Sequence, residues 1–377
     1  MKRIAALILA LLCLLPTWAR ADNALGLSAP AAVLMEKTTG TILYEENATV
    51  QYEPASVTKV MTLLLVMEAI ESGTLSWEDT VTASAHAVSM GGSQIWLKEH
   101  EQMTVRDMVK AVAVVSANDC SVALAEHIAG TETAFVERMN RRAKELGMEH
   151  TNFVNCTGLP AEGHLTCALD IAIMSRELTL NHPNIRQFST IWMDTLREGA
   201  FQLSNTNKLI HYYEGATGLK TGYTDDALYC LSATAERDGM ELIAVVMHAP
   251  TSEERFDSAK ALLNYGFSQY ALTTVYPDEP IRPVEVLLGE QKFVQPIPAR
   301  ECTVLLEKSK AGAVTTQVEL CGDVSAPVEA GQRLGAIRVL VDGEQVDSID
   351  LVAASSVEKL TVGRIFKRFL GCLFLRG

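Results

Sequence analysis

Ser56 and Lys59 stand three residues apart in the run Pro54-Ala55-Ser56-Val57-Thr58-Lys59. On a helix that spacing places the hydroxyl and the amine on one face. A serine is a poor nucleophile until a neighbouring base removes its proton. Lysine serves as that base only when burial or a nearby cation lowers its pKa. Lys220, in Lys220-Thr221-Gly222, offers such a cation, and a third short pattern, Ser116-Ala117-Asn118, lies between the two. Singly these patterns are weak. Ser-x-x-Lys recurs at Ser356-Val357-Glu358-Lys359, and an isolated Ser56 reads as a helix cap. All three in this order point to acyl transfer through a serine ester. Ser56 at a helix N-terminus would also aim backbone N–H groups at charge building on a substrate carbonyl.

Several elements must position these groups. Ala31–Glu36 and Thr41–Tyr44 flank a Lys37-Thr38-Thr39-Gly40 turn and read as a hairpin. Pro54 opens an apolar helix running to Ile70, with Gly73 past its end. Val105–Ile128 is helical in character and breaks near Ser116. Thr133–Leu146 and Ala168–Leu180 are further helices. Gly218–Tyr223 reads as an edge strand, followed by a hairpin of Leu228–Ala235 and Glu241–His248 and by a helix over Ala259–Tyr265. Strands, then helices, then strands predict an α+β fold, an antiparallel sheet packed against a helical cluster.

Beyond Tyr276 the character changes. Pro277, Pro280, Pro283, Pro296 and Pro298 punctuate short strand-like runs, among them Val284–Leu288, Thr303–Leu306 and Ile337–Val341, and Asp342-Gly343 is a hairpin turn. Residues 277–354 therefore read as a small β-rich domain. In the last segment Val362, Ile365, Phe366, Phe369, Leu370 and Leu373 follow helical spacing, with Arg364, Lys367 and Arg368 opposite. Residues 356–377 carry five basic side chains and one acid. An amphipathic helix of that kind lies in a membrane surface rather than crossing it. At the other end, Lys2 and Arg3 precede an apolar stretch from Ile4 to Leu15, then Pro16 and Ala19-Arg20-Ala21, the pattern of a secretory signal peptide. The expected organisation is 1–21 signal peptide, 22–276 catalytic domain, 277–354 β-rich domain and 355–377 anchoring helix. The protein is expected to work on the outer face of the cytoplasmic membrane.

The chain has 377 residues, with 32 basic and 46 acidic side chains and a net charge of −14. Cleavage after residue 21 leaves 29 basic residues against 46 acidic, near −17. Such a charge argues against nucleic acid as a partner. Seven cysteines remain after cleavage and none form a Cys-x-x-Cys pair. Cys156, His164 and Cys167 match no zinc spacing and read as separate residues, so no metal and no cofactor is expected.

The ordered set resembles the low-molecular-weight penicillin-binding proteins, the serine-type D-alanyl-D-alanine carboxypeptidases. The resemblance extends through Pro54–Thr62, through Ser116-Ala117-Asn118-Asp119 into Val122–Glu126, and through Thr151-Asn152-Phe153 to Thr157-Gly158-Leu159. It continues in His164, in Ala168-Leu169-Asp170, in Lys220-Thr221-Gly222-Tyr223-Thr224 and in Arg255. It covers roughly residues 25–270 closely and the rest more loosely. It implies a β-lactamase/transpeptidase-like domain, peptidoglycan stem peptides as substrate and β-lactams as covalent inhibitors. It implies Ser56, Lys59 and Ser116 as catalytic residues. Asn118, Lys220, Thr221, Gly222, Tyr223 and Arg255 would bind substrate, with the backbone N–H groups of Ser56 and Tyr223 facing the oxyanion. Two positions depart from the family: Cys120 replaces a usual alanine and Leu228 a frequent glycine. A β-lactamase shares this fold, but 140–180 lacks the Glu-x-x-Leu-Asn loop of class A enzymes. A catalytically silent membrane scaffold is a second alternative.

Overall fold

Apolar strand-forming runs and helical segments alternate along the first two-thirds of the chain. The helices Val105–Val115 and Glu132–Glu145 are amphipathic and capped, whereas Lys59–Glu71 and the first two turns of Asn118–Ala129 are apolar or buried on nearly every side. The computed structural model describes residues 25–277 and 279–364. Residues 1–21 of the leader, and 365–377 of the cationic tail, lie outside that range. Two compact units divide between Gly266 and Phe267.

In the first unit β1 (Ala31–Glu36) and β2 (Ile42–Glu46) form the hairpin expected of Lys37–Gly40. Helices α1 (Lys59–Glu71), α2 (Val105–Val115), α3 (Asn118–Ala129), α4 (Glu132–Glu145) and α5 (Ala168–Asn181) follow. Strands β3 (Ala216–Thr224), β4 (Leu228–Arg237) and β5 (Met240–Ala249), and helix α6 (Ser252–Gln269), complete the unit. The sheet is antiparallel, in the order β2-β1-β5-β4-β3, so β3 with Lys220 lies at an edge.

Alternation along β1 and β5 serves both faces. Val33, Met35, Ile243, Val245 and Met247 join the helical cluster in one large core. Leu34 and Leu242 point the other way, onto α6, where a Cβ on Gly266 would lie 2.5 Å from the Leu242 side chain and 2.9 Å from that of Leu34. The sheet is thus sandwiched between the helical cluster and α6. Short polar residues cap α2 and α4, where Thr104 accepts from Asp107 N and Thr131 from Ala134 N, whereas α1 and α3 start without a side-chain cap.

Two short pairings, Thr80–Thr82 with Gln102–Thr104 and Met193–Leu196 with Phe201–Ser204, carried no sequence signal strong enough to be expected. They are three and four residues long and largely exposed.

Among its described residues the second unit is β-rich, with the last residues of α6, one short 3-10 segment and the turn of helix beginning at Val362 as its helical parts. It opens with β6 (Tyr270–Thr274), which continues directly from α6, and includes β7 (Val284–Leu287), β8 (Thr303–Glu307), β9 (Val314–Leu320), β10 (Arg333–Val341) and β11 (Glu344–Ala353). β6 pairs with β8, so the strand region starts before the composition change at Tyr276. β9, β10 and β11 form a meander, joined between β10 and β11 by Asp342 (φ 52°) and Gly343 (φ 86°), a primed hairpin turn. At the other end Val357 is 1% exposed and pairs with Val328, and Lys359 pairs with Gly289. Residues 356–360 therefore belong to this unit's extended structure.

Candidate active site

The chain reaches Ser56 through a strained entry. Ala55 adopts φ 47°, and Ala55–Thr58 forms a 3-10 turn that runs into α1. Thr157, Gly158 and Leu159 close over it. Gly158 is itself left-handed (φ 81°), and a Cβ there would sit 1.8 Å from the Ala55 carbonyl oxygen. On the other side β3 presents Gly222, whose added Cβ would come within 2.8 Å of Pro54 O and 3.1 Å of Ser56 N. Backbone from two elements thus packs directly against the nucleophile turn, which is why both positions are glycine.

Lys59 is fully buried, and its Nζ donates to Ser56 Oγ at 2.9 Å and to Thr157 O at 2.6 Å. Burial is the largest influence on its amine and lowers the pKa from 10.5 to about 7. Cys156 and Asp119 oppose the shift by favouring the charge. The amine is therefore held at a pKa where it can accept a proton near neutrality.

Ser116 ends α2 in a left-handed conformation (φ 65°, ψ 32°), so the helical run breaks there and turns the hydroxyl out of the helix. Its Oγ is buried and finds no hydrogen-bond partner among the described residues; Asn118 Oδ1 is in the same condition. Asn118 Nδ2 donates to Gly91 O at 2.7 Å, and Asn118 N to Ser93 O at 2.7 Å. A Cβ on Gly92 would lie 2.9 Å from Asn118 Nδ2 and 3.7 Å from Leu159. The backbone at Gly92 thus runs close to both Asn118 and Leu159, and Leu159 follows the Gly158 that abuts Ala55.

Lys220 is also buried, with Nζ donating to Thr221 O at 3.0 Å. Its pKa lies well below 10.5, first through burial and then through the charges of Lys59 and Arg255. Arg255 donates Nη1 to Gly222 O (3.2 Å) and Cys230 O (3.3 Å) and lies over the rings of Phe256 and Tyr229. Burial lowers its pKa to about 10. Thr221 Oγ1 donates to Thr206 Oγ1 at 2.7 Å. Tyr223 differs: its ring is half exposed, lies tilted against Tyr229 with centroids 4.4 Å apart and donates its hydroxyl to Asp225. Only its backbone lies on the strand beside the turn.

Among the described residues neither Lys59, Lys220 nor Arg255 takes part in an ion pair with a carboxylate. Beside a Lys59 amine that burial favours in its neutral form, Lys220 and Arg255 are buried without a carboxylate partner among those residues, which suits the site to an anionic ligand. A hollow of about 350 Å³ opens beside the turn, between Pro54–Ala55, Gly158–Glu162, His164 and Thr224.

Sequence reasoning missed several supports. His164 Nδ1 accepts from Val154 N at 3.1 Å, so the ring proton sits on Nε2, which donates to Thr58 Oγ1 at 2.8 Å. Burial, with Lys59 nearby, keeps this imidazole neutral by pulling its pKa to about 4. Asp119 takes Ile95 N and Leu97 N on its carboxylate, fixing the segment that holds Asn118. Spacing hinted at neither, although His164 and Asp119 both stood in runs noted above. The Thr157 carbonyl has no side-chain signature at all.

Cys156 and Cys167, set beside His164 in the sequence, serve separate tasks. The Cys156 thiol lies beside Glu132, and Cys167 Sγ caps α5 by accepting Asp170 N at 3.4 Å. Leu228 occupies a left-handed position (φ 52°), a conformation that glycine adopts more readily. Cys120 is wholly buried, and burial pushes its thiol pKa well up, so it acts as an apolar filler. The second Ser-x-x-Lys, at Ser356–Lys359, lies on extended chain in the other unit.

A half-buried serine hydrogen-bonded to a buried lysine at the start of a helix, packed against an antiparallel sheet that carries a buried Lys-Thr-Gly strand, is the arrangement of a serine acyl-transfer enzyme. Comparison with known proteins narrows this. Residues 19–251 match the D-alanyl-D-alanine carboxypeptidase family, and residues 270–359 the C-terminal domain of penicillin-binding protein 5. The chain belongs to the D-alanyl-D-alanine carboxypeptidase family, and so to the penicillin-binding proteins. It is 42% identical to the D-alanyl-D-alanine carboxypeptidase DacF of Bacillus subtilis over 91% of this chain and 89% of that one. Penicillin-binding protein 5 of Haemophilus influenzae superposes with a TM-score of 0.78 at 31% identity, covering 88% of this chain and 98% of that one. Penicillin-binding protein D2 of Listeria monocytogenes, in its ampicillin-bound form, matches with a TM-score of 0.59 at 34% identity over 64% of this chain and 98% of that one. The carboxypeptidase reading thus stands over the β-lactamase and silent-scaffold alternatives.

Proposed function

We propose that Ser56 carries the acyl group and that this enzyme removes the terminal D-alanine from peptidoglycan stem peptides. The observation that carries the assignment is the 2.9 Å contact between Ser56 Oγ and a Lys59 amine whose pKa is about 7. Ser56 Oγ attacks the carbonyl of the penultimate D-alanine as its proton passes to Lys59 Nζ. The peptide C–N bond breaks, the serine ester forms, and a proton relayed through Ser116 leaves with the amine of free D-alanine. Water then cleaves the ester and restores the Ser56 hydroxyl.

Asn118 orients the substrate and Lys59. Lys220, with Thr221 and Arg255, binds the terminal carboxylate, and the positive field there comes from Lys220 and Arg255 rather than from the neutral Lys59. Gly222 lets β3 approach, so that Tyr223 N–H and Ser56 N–H can share the developing oxyanion. A β-lactam presents a strained amide to the same groups and would be trapped as an ester on Ser56.

The leader directs export, the first unit performs the chemistry, and the second unit with the cationic tail holds it at the outer face of the cytoplasmic membrane as a peripheral protein. Release of D-alanine from a peptide ending in D-Ala-D-Ala tests the reaction. The wild type should release it and Ser56→Ala should not. Equal release by both would remove Ser56 from the mechanism.

A further inference from the structure

The segment that holds Asn118 carries a residue for which the reaction at Ser56 has no use. Trp96 is 66% exposed and has a left-handed backbone, φ 54°, a conformation rarely taken by residues other than glycine. That backbone is fixed from two sides. The buried Asp119 carboxylate takes the N–H groups of Ile95 and Leu97 at 3.1 and 3.0 Å. Arg197 donates Nη1 to Ile95 O at 2.9 Å and is held through Nε by Glu101 at 2.8 Å.

The indole is therefore presented outward on a rigid support. It meets Phe201 edge-on at 5.8 Å, and the Arg197 guanidinium lies over the Phe201 ring at 5.5 Å. These side chains, with Glu99, His100 and Glu101, line an open cavity of about 620 Å³. An exposed large aromatic in a rigid, strained setting marks a binding surface rather than a packing residue.

An aromatic face bordered by carboxylates, an imidazole and a guanidinium suits a sugar ring. The apolar C–H face of a pyranose lies on the indole, while its hydroxyl and amide groups meet the charged rim. We propose that Trp96, with Phe201 and Arg197, forms a subsite for the amino-sugar chain to which the stem peptide is attached. The inference rests on the peptidoglycan reading above and adds a second point of contact. Trp96 follows Ser93 by three residues, a span of at most about 11 Å, and Ser93 O receives Asn118 N at 2.7 Å. A sugar on Trp96 therefore lies beside the peptide cleft.

The test compares kcat/KM for a disaccharide-pentapeptide and for the same pentapeptide without sugar, using the full chain. Trp96→Ala should lower the ratio of the two by about tenfold, mainly through KM, as expected for loss of one stacked ring. Tyr276→Ala, an exposed aromatic of the other unit, should leave the ratio as in wild type. An unchanged ratio in Trp96→Ala overturns the subsite, whatever happens to overall activity. Penicillin acylation, measured alongside, separates the two readings. Normal acylation with an unchanged ratio refutes the sugar subsite alone, whereas no acylation of the wild type refutes the serine assignment.

Discussion

Lys59 makes the sharpest prediction, because its reactivity is set by pH. With a pKa of about 7, roughly a tenth of the amine is neutral at pH 6 and about nine-tenths at pH 8. At the ordinary value of 10.5 only about one amine in 3,000 would be neutral at pH 7, so burial raises the reactive fraction on the order of 10³-fold. The second-order rate constant for acylation by a fluorescent penicillin should therefore climb about tenfold per pH unit below neutrality and level off by about pH 8. Stopped-flow measurement across pH 5 to 9 reads it directly. A profile still rising at pH 9, or flat throughout, would refute the view that a desolvated Lys59 takes the serine proton.

The same depressed pKa affects stability. The unfolded chain binds a proton at Lys59 that the folded chain lacks, so unfolding free energy should rise with pH between about 7 and 9, by on the order of 3 kcal/mol from this group. Lys220, shifted in the same direction, adds to the slope; urea titrations at several pH values measure it. Gly158→Ala should cost about 2–4 kcal/mol, combining a left-handed backbone with a clash against Ala55 O. Thermal unfolding and loss of acylation together would show it, and an unchanged melting temperature would contradict the packing described. Arg142, which bridges Glu68 at 2.7 Å and Glu177 at 2.6 Å, should cost about 1–3 kcal/mol when changed to alanine, by leaving partly buried carboxylates unpaired. Truncation after Arg364 should release the enzyme from membranes with activity intact; a cut after Ser355 should instead destabilise the second unit by removing Val357 from its core.

Much of the site was legible because its chemistry is local. Ser56 and Lys59 lie within one turn, and the break at Ser116 shows as an interruption in an apolar helical run. The edge position of Lys220 was readable from the hairpin that follows it. The supporting groups were not. His164 reaches Thr58 across 106 residues, and the Lys59 contact on the Thr157 chain is a backbone carbonyl, which every residue type carries equally. The second unit was legible as β but not strand by strand. β9 shows little burial, so its alternation is weak, and β6 follows a helix without a turn signal. Trp96 shows the same limit: its exposure depends on Asp119 and Arg197, distant in sequence and joined only by folding.

The most direct measurement of the central claim is intact-mass spectrometry after penicillin treatment, followed by mapping of the modified peptide. One adduct on the peptide containing Ser56, absent in Ser56→Ala, is the predicted result. An adduct elsewhere, or none, would contradict the account.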